Sequence, residues 1–367
     1  MYHKIQPWLF RLDPESAHLA TAYTAWLAQS VATRAIRSSY GFGHGSLGRN
    51  IFGLNFTNPV GLAAGFDKNA RLIRFFEALG CGFVEVGSVT FRPSRGNPRP
   101  RAFRLPDDRA LVNRMGLNNQ GADRIARRLL RLRGKHRVPI GVNLANSSDL
   151  SINSAKAIED FRQGFIRLGP LVDYVALNIS CPNSVGGKTF EDSWLLDTLL
   201  RTIIAERERL GLTVPILVKV PPVLTAKVVY DSRLEEILNV SLQHRVAGII
   251  AGNTASDRRN LSSSPEEIAA AGQGGLSGRP LLERTLRLVR YVSHATANRI
   301  PIIGVGGIDS PQSAFRVLRA GASLVQVYTG LVYEGPRLIQ HIKEGLVKLM
   351  EKHGFSTISE VVGSDPD

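Results

Sequence analysis

From residue 58 onward, short apolar runs alternate with longer stretches in which apolar residues recur at helical spacing. The runs are VGLAA (60–64), FVEVGS (83–88), PIGVNL (139–144), YVALNI (174–179), PILVKV (215–220), VAGIIA (246–251), PIIGV (301–305) and SLVQVY (323–328). Their apolar character is continuous rather than strictly alternating, the pattern of parallel strands covered by helices. Stretches 155–168, 191–210 and 311–320 carry the helical spacing between them. Eight strands, each followed by a helix, predict an α/β fold of the (β/α)8 TIM-barrel type. A doubly wound sheet is the competing arrangement, but the G-x-G-x-x-G turn after its first strand is missing. Residues 90–120, rich in Pro, Arg and Asn, are too long for a simple connection and predict an insertion over one mouth of the barrel.

The first 40 residues stand apart, as an N-terminal helical extension ahead of a barrel domain spanning 41–367. In DPESAHL, Asp13 suits a helix N-cap, Pro14 the first helical position and Glu15 the first turn. Leu19, Ala22, Tyr23, Trp26 and Leu27 then recur at helical spacing, and Tyr2, Ile5, Trp8 and Leu9 form a similar stripe upstream. Such an amphipathic pair either packs on the barrel or meets a membrane interface with its aromatics. SYGFGHGSLG (39–48) reads as the linker.

Composition narrows the function. With 43% apolar and 21% charged residues over 367 positions, the chain has ample material for a packed core. Its two cysteines, Cys81 and Cys181, have no C-x-x-C spacing, which argues against a disulfide scaffold or a structural metal site and fits a reducing compartment. No apolar run reaches the length of a membrane span, and the first 30 residues lack a signal-peptide pattern, so a soluble or membrane-surface protein is expected. The formal charge of +15 comes largely from arginines at 92–114 and in RIARRLLRLRGKHR (124–137). The second block reads first as the solvated face of an amphipathic helix, then as a contact for anionic lipid. Nucleic acid fits less well, because neither block interleaves stacking aromatics.

In a barrel of this kind, residues at the carboxyl ends of strands do the chemistry. The ends here are AAGFDKN, VGSVT, NLANS, NISCPN, VKVPP, AGNTA, GVGGID and VYTG. Asparagine recurs among them at Asn143, Asn178, Asn183 and Asn253, with Asn118 and Asn119 in the insertion. One such asparagine is an ordinary turn residue. Several on one rim suit a planar ligand with alternating donors and acceptors, since an amide offers both. Lys68 and Lys219 add positive charge to that rim. GLSG (275–278) and GVGG (304–307) lie where such barrels bind phosphate through main-chain N–H groups.

LDPESAH, GLAAGFDKN, RPSRGNPRPRAFRLPDDRALVNRMGLNN, NISCPN, GGLSGRPL, GVGGIDS and AGASLVQVYTG together resemble dihydroorotate dehydrogenase, over about residues 8–345. The long arginine-rich stretch and the N-terminal helices resemble the class 2, membrane-associated, quinone-reducing branch. The resemblance implies FMN-dependent oxidation of (S)-dihydroorotate to orotate in de novo pyrimidine (UMP) synthesis, with a membrane quinone as final acceptor. It also implies peripheral attachment to the cytoplasmic side of the cell membrane, through lipid contact, and no bound metal. By similarity, the flavin would lie among Ala63, Ala64, Gly65, Phe66, Asp67, Ser88, Asn143, Asn178 and Lys219, with Gly278, Gly307, Tyr328 and Thr329 at its phosphate end. Substrate would be held by Lys68, Asn113, Arg114, Met115, Gly116, Leu117, Asn178, Asn183, Asn253 and Thr254.

Cys181 stands where this family places the base that takes the C5 proton of dihydroorotate while hydride leaves C6 for flavin N5. Class 2 members are known for serine there and class 1 members for cysteine, so the chain combines a class 2 frame with a class 1 base. A thiol with an ordinary pKa near 8.5 is a far better base near neutrality than a hydroxyl. The bland role for Cys181 is a small buried hydrophobe. A second departure is AGNTA (251–255), where Gly252 replaces the family's usual threonine and removes a hydroxyl from the flavin side. Alternatives from the same resemblance are another FMN barrel, of the dihydropyrimidine dehydrogenase or tRNA dihydrouridine synthase type, a dihydroorotate dehydrogenase with a non-quinone acceptor, and a catalytically dead membrane-peripheral binding protein.

Overall fold

The computed structural model describes residues 2–147, 155–180 and 190–365, so Cys181 and Asn183 lie outside the described residues. Each of the eight apolar runs forms one strand of a closed barrel: Val60–Leu62, Phe83–Val89, Ile140–Leu144, Tyr174–Asn178, Ile216–Val220, Gly248–Ala251, Ile302–Val305 and Leu324–Val327. Every strand pairs in parallel with the next, and the eighth closes onto the first. The crossovers carry the helices Ile73–Ala78, Ala122–Leu132, Ala155–Leu168, Ser193–Arg209, Ser232–Gln243, Leu282–Ala295 and Pro311–Arg319, and Leu338–His353 follows the eighth strand. Parallel neighbours require such covering helices, which explains why the strands are apolar on both faces.

A short antiparallel hairpin, Arg49–Ile51 with Leu54–Phe56, precedes the first barrel strand. Phe56 inserts beneath the barrel and meets Phe83 edge to face at 5.5 Å. With Tyr174, Leu217, Ile250, Ile303 and Leu324 these rings form a separate apolar core inside the barrel. Glycine makes room for it. A Cβ on Gly141 would lie 2.0 Å from the Tyr174 ring, and one on Gly61 would lie 2.4 Å from Phe83.

The long insertion is a hairpin, Ala102–Leu105 with Ala110–Asn113, and it gains a third antiparallel strand from Gly275–Gly278. The GLSG segment is therefore a strand edge as well as a loop. The N-terminal region holds three helices rather than two: Tyr2–Arg11, Pro14–Val31 and Thr33–Tyr40. Asp13 caps the second by accepting from the main-chain N–H groups of Glu15 and Ser16.

Arginines of the insertion stitch these helices to the barrel. Buried Glu15 accepts from Arg101 at 2.7 and 3.0 Å and from Arg99 at 3.1 Å. Arg101 also donates to the carbonyls of Arg95 and Asn97. Arg104 reaches the carbonyls of Leu9, Phe10 and Leu12 at the end of the first helix, where orphan acceptors need donors. Arg109 pairs with Glu334. Much of the excess charge in the first arginine block therefore has an internal partner. The second block forms the exposed side of Ala122–Leu132, whose Ala122, Ile125 and Leu129 are buried.

The packing at Gly141 yields a stability test. Gly141→Ala forces a methyl into the Tyr174 ring, and that ring is pinned by the buried side chains around it. A loss of about 3 kcal/mol is expected, the upper range for overpacking a rigid core, read by urea unfolding. An unchanged midpoint would mean that Tyr174 is free to move.

Candidate active site

The carboxyl ends of the strands open into a cavity lined by Ala63, Ala64 and Gly65 from the first strand, Ser88 from the second, Asn178 from the fourth and Lys219 from the fifth. The sixth contributes Asn253 and Thr254, the seventh Val305 to Asp309, and the eighth Gln326 and Tyr328 to Gly330. The insertion covers the mouth with Arg109, Asn113, Met115, Gly116 and Leu117, and Ser277 to Arg279 complete the wall. Most of the expected site residues thus meet around one space.

Among the described residues, five expected at the site lie outside this lining: Phe66, Asp67, Asn143, Gly252 and Arg114. Each has a visible task nearby. Asp67 accepts from the main-chain N–H groups of Asn69, Arg71 and Leu72, which fixes the turn carrying Lys68. Phe66 packs edge to face against His18, Phe76 and Tyr328. Asn143 is fully buried behind the wall and accepts from the Ser88 hydroxyl. Arg114 turns away, to the carbonyls of Ala271 and Gln273. At Gly252 a Cβ would lie 2.0 Å from the Val305 carbonyl oxygen, at a φ of +124°, so threonine there would require a different backbone.

The polar groups of the rim hold one another in order. Asn178 Nδ2 donates to Ser88 Oγ at 3.1 Å, and Asn253 Nδ2 donates to Asn178 Oδ1 at 3.4 Å and to the Ser180 carbonyl at 3.1 Å. The described chain thus reaches the rim at Ser180, one residue before Cys181. Thr254 Oγ1 sits over Gly275, where a Cβ would lie 2.0 Å away. Lys68 Nζ donates to the Gly65 carbonyl at 2.8 Å, and burial pulls its pKa down to about 8, with Glu15 opposing the fall.

A second cleft adjoins the first and shares Lys68 and Met115 with it. Its other wall comes from the N-terminal helix Pro14–Val31, through Glu15, His18, Leu19, Ala22, Tyr23 and Trp26. Arg71, Arg74, Arg128 and Arg131 stand on the barrel side. Leu19, Tyr23, Trp26 and Leu27 are exposed although large and apolar, as are Ile5 and Trp8 on the first helix. No described helix is long and apolar enough to cross a membrane.

The sequence model of the family described as dihydroorotate dehydrogenase matches residues 46–350. A Chloroflexus aurantiacus protein named dihydroorotate dehydrogenase (quinone) is 45% identical over 94% of this chain and 95% of its own length. A Halobacterium salinarum protein of the same name is 42% identical over the full length of both. Among solved structures, ligand-free dihydroorotate dehydrogenase from Eimeria tenella superposes with a TM-score of 0.81 at 33% identity, covering 93% of this chain and 99% of that one. The chain belongs to the dihydroorotate dehydrogenase family. Its curated relatives place it in the quinone branch, as a flavin-family oxidoreductase.

Dihydroorotate dehydrogenases generally use FMN, and the cavity fits that group on two counts. Gln326 Oε1, in a wall residue, is buried with no hydrogen-bond partner among the described residues, so it calls for a donor from whatever fills the space. Gly278, Gly306 and Gly307, all at positive φ, leave bare main chain at the end where Arg109 and Arg279 approach, a surface suited to phosphate. The sequence reading missed Gln326 and the two arginines, while Ser277 and Gly306 fall within the GLSG and GVGG segments it placed at a phosphate. A signal for the first was present: a glutamine inside the apolar run SLVQVY has no reason to be there unless something hydrogen-bonds it.

His18, beside Lys68 and Phe66, has its pKa held down to about 4 by burial, with the Lys68 charge adding to the effect. Its folded pKa lies below the unfolded value of 6.5. The unfolded chain therefore binds more protons in this window, and stability falls as pH drops from 6.5 through about 4. His18→Gln should flatten the melting-temperature profile between these pH values. A profile identical to wild type would show that His18 protonates as freely folded as unfolded.

Proposed function

We propose that this protein oxidises (S)-dihydroorotate to orotate with FMN as immediate acceptor and a membrane quinone as final acceptor, Cys181 taking the C5 proton. The observation that carries this reading is the pair of adjoining clefts with one wall in common. One is lined by amides and lysines and suits a small planar acid. The other is lined on its helix side by Leu19, Ala22, Tyr23 and Trp26, and that side suits an apolar acceptor. A tRNA or a free pyrimidine reductant needs no such second cleft.

FMN, when bound, supplies the acceptor for the C6 hydride and returns two electrons to quinone. The chain supplies the rest. Asn178, Asn253 and Thr254 offer donors and acceptors to the carbonyl and N–H edge of the pyrimidine ring, and Asn113 and Asn183 belong to the same set. Lys68 offsets the substrate carboxylate; with its pKa near 8 it carries charge at neutrality, and an incoming anion strengthens that charge. Lys219 is buried at the end of the fifth strand and places a cation in the flavin wall, where it stabilises added electron density. Asn143 and Asp67 act from behind the wall. The thiolate of Cys181 accepts the C5 proton while the hydride departs from C6, so the two bonds broken leave the new C5–C6 double bond.

The helices Tyr2–Arg11 and Pro14–Val31 present Ile5, Trp8, Leu19, Tyr23, Trp26 and Leu27 outward, and the cleft opens among Leu19, Tyr23 and Trp26. We place this face on the cytoplasmic leaflet of the cell membrane, with quinone entering between the helices. Lipid supplies the apolar cover that these side chains lack in water. Orotate formed at the polar mouth then enters pyrimidine synthesis.

Purified protein should be yellow and should bleach anaerobically on adding dihydroorotate; failure to bleach with flavin bound would refute the assigned reaction. Cys181→Ala should still bind orotate yet reduce flavin roughly a hundredfold more slowly, the loss expected for a general base. Cys181→Ser should recover part of the rate, rising further at high pH. Stopped-flow reduction against pH reads both, and a wild-type profile in the alanine variant would return the thiol to packing.

For the acceptor half, substitution is a cleaner probe than truncation, because removing the helices would also strip Glu15 from Arg101. Tyr23→Ser with Trp26→Ser should leave dihydroorotate-driven bleaching unchanged but lower liposome binding and long-chain quinone reduction by about tenfold or more. Normal quinone reduction in that double variant would move the entry path elsewhere.

A further inference from the structure

Glu85 lies on the second barrel strand, fully buried beneath the cavity and outside its lining. Its carboxyl oxygens accept three hydrogen bonds. Asn143 Nδ2 donates to one oxygen at 3.0 Å, while Tyr174 Oη at 3.0 Å and Gln326 Nε2 at 2.8 Å donate to the other. An ionised carboxylate only accepts, so both amides must turn their NH2 groups toward it and their carbonyl oxygens away. Tyr174 is also kept a donor, since burial and the Glu85 charge hold its phenol well above the usual range.

Consequences for the site differ at the two amides. Asn143 Oδ1 faces Ser88 and receives its hydroxyl, which leaves Ser88 Oγ to accept from Asn178 Nδ2. Asn178 Oδ1 then accepts from Asn253 Nδ2. Each direction follows from the one before it, back to a group that cannot donate. At the other amide, Gln326 Oε1 is left as a buried acceptor with no partner among the described residues.

We propose that Glu85 is a positioning residue for the flavin and substrate site: its carboxylate sets the polarity of the amides above it. Gln326 thereby presents an acceptor to the flavin, and Ser88, Asn178 and Asn253 present one fixed donor–acceptor order. The inference rests on the FMN reading of the cavity. A glutamine at position 85 has the same shape but offers an NH2 of its own, so at least one of the three partners must turn round, and with it the groups that face the ligand.

The test uses purified holoprotein, with flavin release on dilution followed by fluorescence and orotate affinity followed by calorimetry. Glu85→Gln is expected to weaken FMN retention and orotate binding by roughly tenfold or more while far-UV circular dichroism stays native. Tyr174→Phe removes one donor but keeps the carboxylate and both amides, so both affinities should stay within about twofold of wild type. Wild-type affinities in Glu85→Gln overturn the inference, and so do equal losses in the two variants, which would mark a purely structural role. Should Glu85→Gln fail to fold, Gln326→Met decides: it keeps the volume but has no acceptor, and unaltered FMN retention there overturns the assignment. Wild-type protein that carries no flavin would instead refute the FMN reading itself.

Discussion

A closed parallel barrel leaves its inward side chains only two exits, one at each end of the strands, and here the lower exit is blocked. The Leu54–Phe56 strand drives Phe56 under Phe83, and Tyr174, Leu217, Ile250, Ile303 and Leu324 complete an apolar floor. Above that floor water has no route from below. Polar groups placed there must be satisfied by one another or by a ligand entering from above, because a buried unpaired group costs on the order of 1–3 kcal/mol. The interior is consequently graded by height: rings at the bottom, then Glu85 with its three donors, then the amide rim and the open cavity. Gly141 connects the levels. It is in register with both Glu85 and Tyr174, and its missing side chain lets the Tyr174 ring cross to the carboxylate.

The same logic accounts for the charge. A surplus of +15 suggests an anionic partner when read as a total. In the fold, Arg99 and Arg101 clamp Glu15 of the second helix, Arg104 caps the first helix, and Arg109 pairs with Glu334. Arg99, Arg101 and Arg104 fasten the N-terminal helices to the insertion that covers the polar cavity, and Arg109 ties that insertion to the end of the barrel. Arg101 also holds the Arg95 and Asn97 carbonyls of that insertion. The aromatic face and the substrate cover are therefore one mechanical unit. Beside the aromatic cleft, Arg71, Arg74, Arg128 and Arg131 add positive charge to the barrel side.

The barrel was legible because continuous apolar runs have few other uses, and all eight became strands within one or two residues of their expected bounds. The helix cap at Asp13 was legible for the same reason: side chain and position agree. The three-stranded sheet over the mouth was not. Ala102–Leu105 and Ala110–Asn113 are short and mixed in polarity, and their third partner, Gly275–Gly278, lies more than 150 residues away, where its glycines read as a loop. The hairpin at 49–56 was hidden by its neighbouring glycine-rich stretch. At the site, residue types pointed to the rim, but not to which residues face the cavity and which stand behind it. Asn143 and Asn178 are alike in sequence, one strand apart, and only the second reaches the lining. That difference depends on barrel height, which a single strand does not encode. Glu85 and Gln326 offered a signal that was not taken up, a charge and an amide inside runs otherwise apolar.

Lys68 stands where the two clefts meet. It stands in the wall they share, fixed by its bond to the Gly65 carbonyl and by the turn that Asp67 caps. On its polar side it meets the space assigned to substrate. On the other it lies near Glu15 and His18 of the N-terminal helix; the Glu15 charge raises its proton affinity, whereas burial and Arg101 lower it. Burial, with the Lys68 charge adding to it, lowers the proton affinity of His18 on that side. One cation, held in place by the end of the first barrel strand, thus faces both spaces.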